Sequence, residues 1–176
     1  MQDPDPRVLS RAKRGDLVAF EELVRDCQAD VYRFALYLTR DHGMAEDVTQ
    51  ETFLRAFRFI HGFRGSTKFS SWLMRIARNC SMDALRRRPS DAALDDGPEP
   101  LARGLADPIA RAALASALAS VPLEQRETFL LTEVLGLSYQ EAGDVLGVRL
   151  GTVKSRMFRA RQALCVALSD EDEGLG

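Results

Sequence analysis

The 176-residue sequence contains few of the residues that catalytic and metal sites need. Its two histidines, His42 and His61, lie in no metal-binding or nucleophile motif, and the sequence has no glycine-rich phosphate loop. The three cysteines are too far apart to suggest a disulfide framework or a paired set of metal ligands. We therefore expect no catalytic residues, no metal site and no cofactor, and we interpret the cysteines as small buried side chains.

Long apolar runs are also missing from the sequence. No stretch approaches the roughly 20 apolar residues that cross a bilayer, and the first residues, MQDPDPRVLSRAK, contain no apolar signal-peptide core. We therefore expect a cytoplasmic protein with no membrane segment of its own. The alternation of apolar and polar residues that predicts β-strands is absent too, so we expect an all-α fold.

The small net charge of −2 conceals a strong segregation of charge along the chain. Residues 51–88 carry nine basic residues against two acidic ones, and residues 149–161 carry five basic residues and no acid. Between these basic blocks, residues 89–107 contain five acids and three prolines, a composition typical of a linker without a core. This distribution predicts two basic surfaces for nucleic acid, separated by acidic chain.

A helix-turn-helix motif is predicted near the end of the chain. Ser138 and Glu141 have the spacing of a capping box, Gly147 allows a tight turn, and a second helix is expected to begin around Gly151 or Thr152. The apolar residues at helical spacing, which should face the core, are Val153, Met157, Ala160 and Leu164. The open face of this helix is basic, as in helices that enter the major groove of DNA. The alternative is an ordinary helical hairpin with a solvated charged face.

Apolar periodicity and the positions of glycine and proline predict the remaining elements. The expected helices are 17–40, 45–60, 71–87, 108–119 and 123–135. His42 and Gly43 should separate the first two helices, and Pro89 should end the third. The predicted organisation is two small helical domains joined by a flexible acidic linker. The expected segments are a first domain at 1–88, the linker at 89–107, a second domain at 108–168 and an acidic tail at 169–176.

Four segments together carry a family resemblance: AEDVTQETFLRAF, FRGSTKFSSWLMRIARN, LSYQEAGDVLG and GTVKSRMFRARQAL. In this order and spacing, the chain resembles the extracytoplasmic-function (ECF) sigma factors, the smallest two-domain class of the bacterial sigma-70 family. The resemblance covers roughly residues 7 to 168. It implies a promoter-specificity subunit, not an enzyme, which binds core RNA polymerase, recognises the −10 and −35 promoter elements and nucleates strand opening.

The resemblance also implies roles for individual residues. Base contacts to the −35 element are expected from Lys154, Ser155, Phe158 and Arg159, and mainly phosphate contacts from Arg149, Thr152 and Arg156. Arg161 is expected to pair with an acid inside the domain. Recognition and melting of the −10 element are expected from Phe63, Arg64, Lys68, Phe69, Arg75, Arg78 and Asn79. Among these, Phe63 and the following loop should form a pocket for a flipped base, and Asn79 should make a base-specific contact. Trp72 is expected in the core.

Polymerase binding is expected from Asp47, Gln50 and Glu51, beside an apolar helix face formed by Val48, Phe53 and Leu54. The implied partners are core RNA polymerase, through its clamp coiled coil and flap, promoter DNA in duplex and single-stranded form, and a cognate anti-sigma factor. Two alternatives remain open. A stand-alone helix-turn-helix regulator would have a sensor domain upstream, which the basic helical block at 1–88 does not resemble. A nucleic-acid enzyme would need clustered carboxylates, but residues 51–88 contain only Glu51 and Asp83.

Overall fold

The computed structural model describes residues 1–88 and 108–173, with side chains for residues 1–88 and 114–169. These residues form eight α-helices: α1 (Pro6–Lys13), α2 (Leu17–Thr39), α3 (His42–Phe59), α4 (Phe69–Arg87), α5 (Pro108–Ser120), α6 (Leu123–Phe129), α7 (Tyr139–Leu146) and α8 (Leu150–Glu173). A short 3-10 turn (Ile60–Gly62) follows α3, and a π-helical turn (Leu130–Val134) follows α6. No β-strand occurs in the two described stretches, which confirms the all-α prediction. None of their helices is long and apolar enough to span a bilayer.

Aspartate caps determine where the helices of the first domain begin. The Asp16 carboxylate accepts the backbone N–H of Ala19 at 3.1 Å and starts α2 at the predicted residue. The predicted break between α2 and α3 is displaced, because His42 and Gly43 lie in the first turn of α3. The chain turns instead at Arg40, which has a left-handed backbone (φ 55°), and Asp41 then caps α3. An arginine gives no sequence signal for this conformation, which favours glycine or asparagine.

The first domain also contains a helix that the sequence analysis did not predict. Pro6 occupies the first turn of α1, where its missing N–H costs nothing, and the Asp5 side chain caps the helix. This helix packs against α2 and brings Lys13 to the loop before α4. The helix α4 begins at Phe69, two residues earlier than predicted, and the Asp3 carboxylate accepts one of its first backbone N–H groups, from Ser70, at 2.8 Å.

The second domain contains the predicted helix-turn-helix motif. The capping box is present, because the Ser138 hydroxyl accepts the Glu141 N–H at 3.2 Å and the Glu141 carboxylate accepts the Ser138 N–H at 2.7 Å. Gly147 has the left-handed backbone (φ 69°) that was expected at the turn. A Cβ atom at Gly143 would lie 3.0 Å from the Val148 carbonyl, so this glycine lets the turn approach α7 closely.

The helix α8 is longer than expected at both ends. It begins at Leu150, just before the expected Gly151 or Thr152, and it continues to Glu173 through much of the segment that was predicted as an acidic tail. The predicted inner stripe of this helix is confirmed, since Val153, Met157, Ala160 and Leu164 are all buried. The outer side of α8 is therefore fixed in orientation by a well-packed inner side.

The two domains pack directly against each other. The helix α4 lies on α7, and α2 contacts both α5 and α6. Arg126 of α6 crosses this boundary, where its guanidinium donates to the Tyr37 carbonyl at 3.2 Å and to carbonyls at the end of α5. Burial lowers the pKa of Arg126, and the nearby charge of Arg40 adds to this effect. The predicted linker at 89–107 lies outside the described residues.

Candidate nucleic-acid and polymerase interfaces

The first basic surface is the outer side of α8. Lys154, Ser155, Phe158 and Arg159 are exposed there, whereas Val153, on the opposite side, is fully buried. Phe158 is 64% exposed, which is unusual for an aromatic side chain on a folded helix. Cationic side chains can donate hydrogen bonds to guanine in the major groove, and an apolar ring can contact the thymine methyl group. The surface therefore has the chemistry that base recognition requires.

The cations along this surface differ in whether they are paired with acidic residues of the same domain. Arg149 is exposed. Arg156 is engaged within the domain, because it pairs with Glu124 at 2.8 Å and lies 3.6 Å from the Glu127 carboxylate. Arg161 pairs with Glu133 at 2.7 Å, as expected from the sequence. Thr152 is half-buried, and its carbonyl accepts the Ser155 hydroxyl proton at 2.9 Å.

The second basic surface comprises the loop before α4 and the exposed side of α4. Arg64, Lys68, Arg75 and Asn79 are exposed, and Arg78 is half-buried. Arg75 and Asn79 are four residues apart on α4 and so share one side of the helix. Arg78 and Asn79 also line a cleft of about 670 Å³. The structure thus brings together the polar residues that the resemblance assigned to the −10 element.

The aromatic residues assigned to this element form a packed cluster instead of an open stacking platform. Phe63 is 7% exposed, and its ring packs edge-on against Phe69 at a centroid distance of 5.9 Å. Trp72 contacts both rings, at 5.3 and 5.6 Å, and is partly buried against the core as expected. In this conformation neither Phe63 nor Phe69 offers a free face to a base.

A cavity of about 380 Å³ borders this aromatic cluster and adds a part of the site that sequence reasoning missed. Its lining includes Phe63 and Gly65 from the loop, together with Lys13 and Arg14 of α1. The Lys13 ammonium lies 5.8 Å from the centre of the Phe63 ring, within the range of a cation–π contact. The basic residues of the first 14 positions were the available signal, but nothing in the sequence placed them beside this loop.

Three of the cations assigned to the −10 element are bonded to the second domain. The Arg78 guanidinium donates two hydrogen bonds to the Glu127 carboxylate, at 2.8 and 3.1 Å. Lys68 pairs with Glu141 at 2.8 Å, and Arg75 donates to the Asp144 carbonyl. Burial opposes ionisation of Glu141, but hydrogen bonds from Lys68 and Ser138 outweigh it and lower the Glu141 pKa to about 2.

The residues that were predicted to bind polymerase lie on one side of α3. Asp47 and Gln50 are exposed, and Glu51 pairs with Arg55 at 2.6 Å. Asp47 and Glu51 line a cleft of about 710 Å³. Of the apolar residues expected beside them, Val48 is buried in the core, Phe53 is half-buried and Leu54 is 54% exposed. Phe57, which the sequence analysis did not assign, is also exposed. The helix therefore presents acids and apolar side chains to solvent, a combination that suits a protein partner.

Comparison with family models and known proteins gives both domains a family. Residues 23–90 match the model for sigma-70 region 2, and residues 111–164 match the model for sigma-70 region 4. The chain is 39% identical to the ECF RNA polymerase sigma factor SigC of Mycobacterium tuberculosis, over 92% of this chain and 89% of that protein. It is 35% identical to the RNA polymerase sigma-H factor of Pseudomonas aeruginosa, over 95% of each chain.

Solved structures extend the similarity to the fold. The sigma factor RpoE from Bartonella quintana, in complex with the anti-sigma factor NepR, matches with a TM-score of 0.75 and 26% identity, covering 85% of this chain and 96% of that one. CnrH, in complex with the cytosolic domain of CnrY, matches with a TM-score of 0.74 and 28% identity, covering 93% and 96% of the two chains.

These similarities agree with the two basic helical surfaces in the structure. The protein is an RNA polymerase sigma factor that acts in promoter recognition and transcription initiation, and it is not an enzyme. The chain belongs to the extracytoplasmic-function sigma factors of the sigma-70 family.

Proposed function

We propose that the outer side of α8 reads the −35 element as duplex DNA. Lys154, Ser155, Phe158 and Arg159 contact base edges, whereas Arg149, Thr152 and Arg156 position the helix on phosphates. The exposure of the first four residues supports their role in base contact. The ion pairs of Arg156 support its assignment to phosphates, because a guanidinium already shared with two acids has less freedom to select a base.

The loop before α4 and the exposed side of α4 bind the −10 element in its single-stranded form. Asn79 contacts a base, while Arg64, Lys68, Arg75 and Arg78 follow the phosphates. Opening promoter DNA requires a base to leave the stack, at a cost of a few kcal/mol. Stacking of a base on a protein aromatic ring offsets about 1–3 kcal/mol of this cost.

Phe63 and Phe69 supply the aromatic surface for this step only after the loop moves. Both rings are packed against Trp72 in the structure, so the loop must shift to admit a base. The cavity beside Phe63 supports this proposal, because it leaves room next to the ring and is bordered by cations. The flipped base would displace the edge-on contact between Phe63 and Phe69.

Asp47, Gln50 and Glu51 dock on the clamp coiled coil of core RNA polymerase. Leu54 and Phe57 complete this surface, because burying their exposed apolar area against a partner stabilises a complex. The second domain, at 108–168, contacts the polymerase flap while α8 holds the −35 element. The first domain, at 1–88, then lies over the −10 element, and the protein acts in the cytoplasm with the polymerase.

An anti-sigma factor is a further proposed partner. The solved relatives CnrH and RpoE are each bound to a partner protein, and the partner of RpoE, NepR, is named as an anti-sigma factor. Both matches extend over most of this chain, which supports a comparable partner here.

The observation that carries the proposal is that the exposed basic sides of α8 and α4 lie on the two family-matched domains. Run-off transcription with core polymerase tests it. We expect start sites that follow a shared pair of sequence elements, and we expect no specific transcript from core polymerase alone. Transcripts that do not depend on the added protein would contradict the proposal.

A further inference from the structure

The cavity of about 380 Å³ beside Phe63 has a second wall, which comes from α1. This helix lies outside residues 23–90, which match the model for sigma-70 region 2. We propose that Lys13, at the end of α1, and Arg14, directly after it, bind the backbone phosphates on either side of the flipped −10 nucleotide. The inference rests on the proposed function, because it takes Phe63 as the residue that receives the base.

Packing fixes the end of α1 against the loop that carries Phe63. The helix packs on α2, and its Ala12 side chain is buried there. His61, just before the loop, donates from its Nδ1 to the Lys13 carbonyl at 2.6 Å. The Lys13 ammonium lies 5.8 Å from the centre of the Phe63 ring. The backbone of the two cations is therefore held beside the loop by the fold.

The two walls of the cavity differ in chemistry. On the α1 side, Pro6 and Leu9 supply apolar atoms, and Lys13 and Arg14 supply positive charge. On the loop side, Phe63 supplies an aromatic ring. A flipped nucleotide has the matching parts, because its base has a face that stacks on aromatic rings and its phosphates attract cations. The cavity therefore complements a whole nucleotide, whereas the Phe63 ring alone would bind only the base.

Lys13 and Arg14 are available to bind phosphates. Among the side chains that the structure describes, no carboxylate lies within ion-pairing distance of either cation. The Arg14 guanidinium donates instead to the neutral Ser10 hydroxyl at 2.7 Å. Arg11 of the same helix differs, because it pairs with Asp16 at 2.7 Å. A phosphate at the cavity therefore does not have to displace an acid of the described chain.

Entry of the base changes the partner of Lys13. The ammonium contacts the Phe63 ring in the structure, so a stacked base would displace it. A cation–π contact near solvent is weak, whereas a hydrogen bond from an ammonium to a phosphate is charge-assisted and stronger. The flexible side chain of Lys13 exchanges the ring for a phosphate when the base stacks. This exchange favours the flipped nucleotide.

The first test distinguishes this site from a general attraction of a basic helix for DNA. Arg7 and Arg11 are exposed on the same helix but do not line the cavity. The test variant carries Lys13→Gln and Arg14→Gln, and the control carries Arg7→Gln and Arg11→Gln, so each loses two positive charges. Binding of the holoenzyme to a single-stranded oligonucleotide of its −10 element is titrated over a range of salt concentrations, with core polymerase alone as the background.

We expect the test variant to bind on the order of tenfold more weakly than the parent, because it loses two charge-assisted hydrogen bonds. Its plot of log K against log salt should be shallower by about 1.4, because each neutralised phosphate of a single strand contributes about 0.7. The control should keep the affinity and the slope of the parent. Equal losses in the two variants, or no loss in the test variant, would overturn the inference.

A second test locates the contact on the DNA. A methylphosphonate linkage removes the charge of one phosphate, and it is moved stepwise along the oligonucleotide. It should weaken binding by the parent at two adjacent linkages where binding by the test variant is insensitive. At the other linkages it should affect both proteins equally. Identical profiles for the parent and the test variant would overturn the inference.

Two further variants separate a failure of this inference from a failure of the proposed function. Phe63→Ala and Asn79→Ala should each weaken binding if the first domain reads the −10 element. Weak binding by both, together with parent-like binding by the test variant, would refute only the role of Lys13 and Arg14. Parent-like binding by all three variants, or no specific binding by the parent, would refute the −10 assignment and the inference with it.

A charge-preserving variant separates phosphate binding from a structural effect on α1. Lys13→Arg with Arg14→Lys keeps both positive charges, and thermal melting verifies that this variant and the test variant are folded. We expect the charge-preserving variant to keep the salt slope of the parent. A slope as shallow as that of the test variant would show that the two charges do not bind phosphates, and it would overturn the inference.

Discussion

Arginines 159 and 161 provide a direct comparison of two cations on one helix. Both lie on α8 and are exposed, but Arg161 pairs with Glu133 at 2.7 Å, and no partner of Arg159 is seen among the described residues. We predict that Arg159→Ala weakens binding to the −35 duplex and relaxes its sequence preference, whereas Arg161→Ala does neither. Since both variants lose one positive charge, a difference between them cannot come from net charge.

The size of the effect follows from the type of contact that is lost. An arginine that contacts a base contributes about 1–3 kcal/mol, which corresponds to a loss of about 5- to 150-fold in affinity for the preferred sequence. Affinity for unrelated duplexes should fall much less, because phosphate contacts remain. Truncating a surface side chain changes the free energy of unfolding by less than about 0.5 kcal/mol, so both variants should melt like the parent.

The assay is a binding titration of each full-length variant against a panel of duplexes with one substituted base pair each. The prediction requires that Arg159→Ala removes the preference for a particular base pair at one or two adjacent positions of the duplex and leaves the preference at the other positions unchanged. The assignment of α8 to the major groove would be wrong if Arg159→Ala kept the parent's full preference, or if Arg161→Ala altered it equally.

Two further predictions concern the polymerase surface and pH. Asp47→Lys with Glu51→Lys should weaken binding to core RNA polymerase on the order of a hundredfold, because like charges placed across an interface cost several kcal/mol. For Glu141, the folded pKa of about 2 lies below the ordinary value of 4.5. Its contribution to the free energy of unfolding should therefore be complete above pH 4.5 and be lost as the pH falls towards 2. The stability difference between the parent and Glu141→Gln should shrink over the same range.

Each of these predictions has a matched control. Glu21→Lys with Asp26→Lys makes the same charge change on exposed residues of α2, and the affinity of this variant for core polymerase should stay near that of the parent. An equal loss in this control would refute the assignment of Asp47 and Glu51. For the pH prediction, Lys68→Ala should raise the Glu141 pKa in a carboxyl NMR titration, and an unchanged pKa would show that Lys68 and Glu141 are not paired in solution.

Local signals in the sequence predicted most of the helices. Asp16 and the capping box at Ser138 and Glu141 start their helices at the expected residues, because a cap acts on backbone groups only two or three positions away. The turn at Gly147 was predictable for the same reason. Arg40 gave no comparable signal, since its left-handed backbone is imposed by the packing of α2 on α3 and not by its own preference.

The sequence predicted the two basic surfaces of the candidate site. It did not predict the ion pairs between the two domains or the burial of Phe63. Helical spacing is sufficient to place Arg75, Arg78 and Asn79 on accessible sides of α4. The pairs of Arg78 with Glu127 and of Lys68 with Glu141 join residues far apart in the chain, and no periodicity reports such a contact. The burial of Phe63 was missed for a similar reason, because it depends on Trp72 and α1, which approach the loop only in the folded protein.

Strand opening tests the central claim most directly, because a protein that only docks on duplex DNA has no use for a base pocket. Permanganate reactivity of −10 thymines, with core polymerase and a fully paired promoter, should be strong for the parent and weak for a Phe63→Ala, Asn79→Ala double variant. Thermal melting and −35 duplex binding would verify that the variant is folded. A template with a mismatched −10 region should restore part of the reactivity, because the unpairing cost is then already met. Normal melting of the paired promoter by the folded double variant would contradict the account.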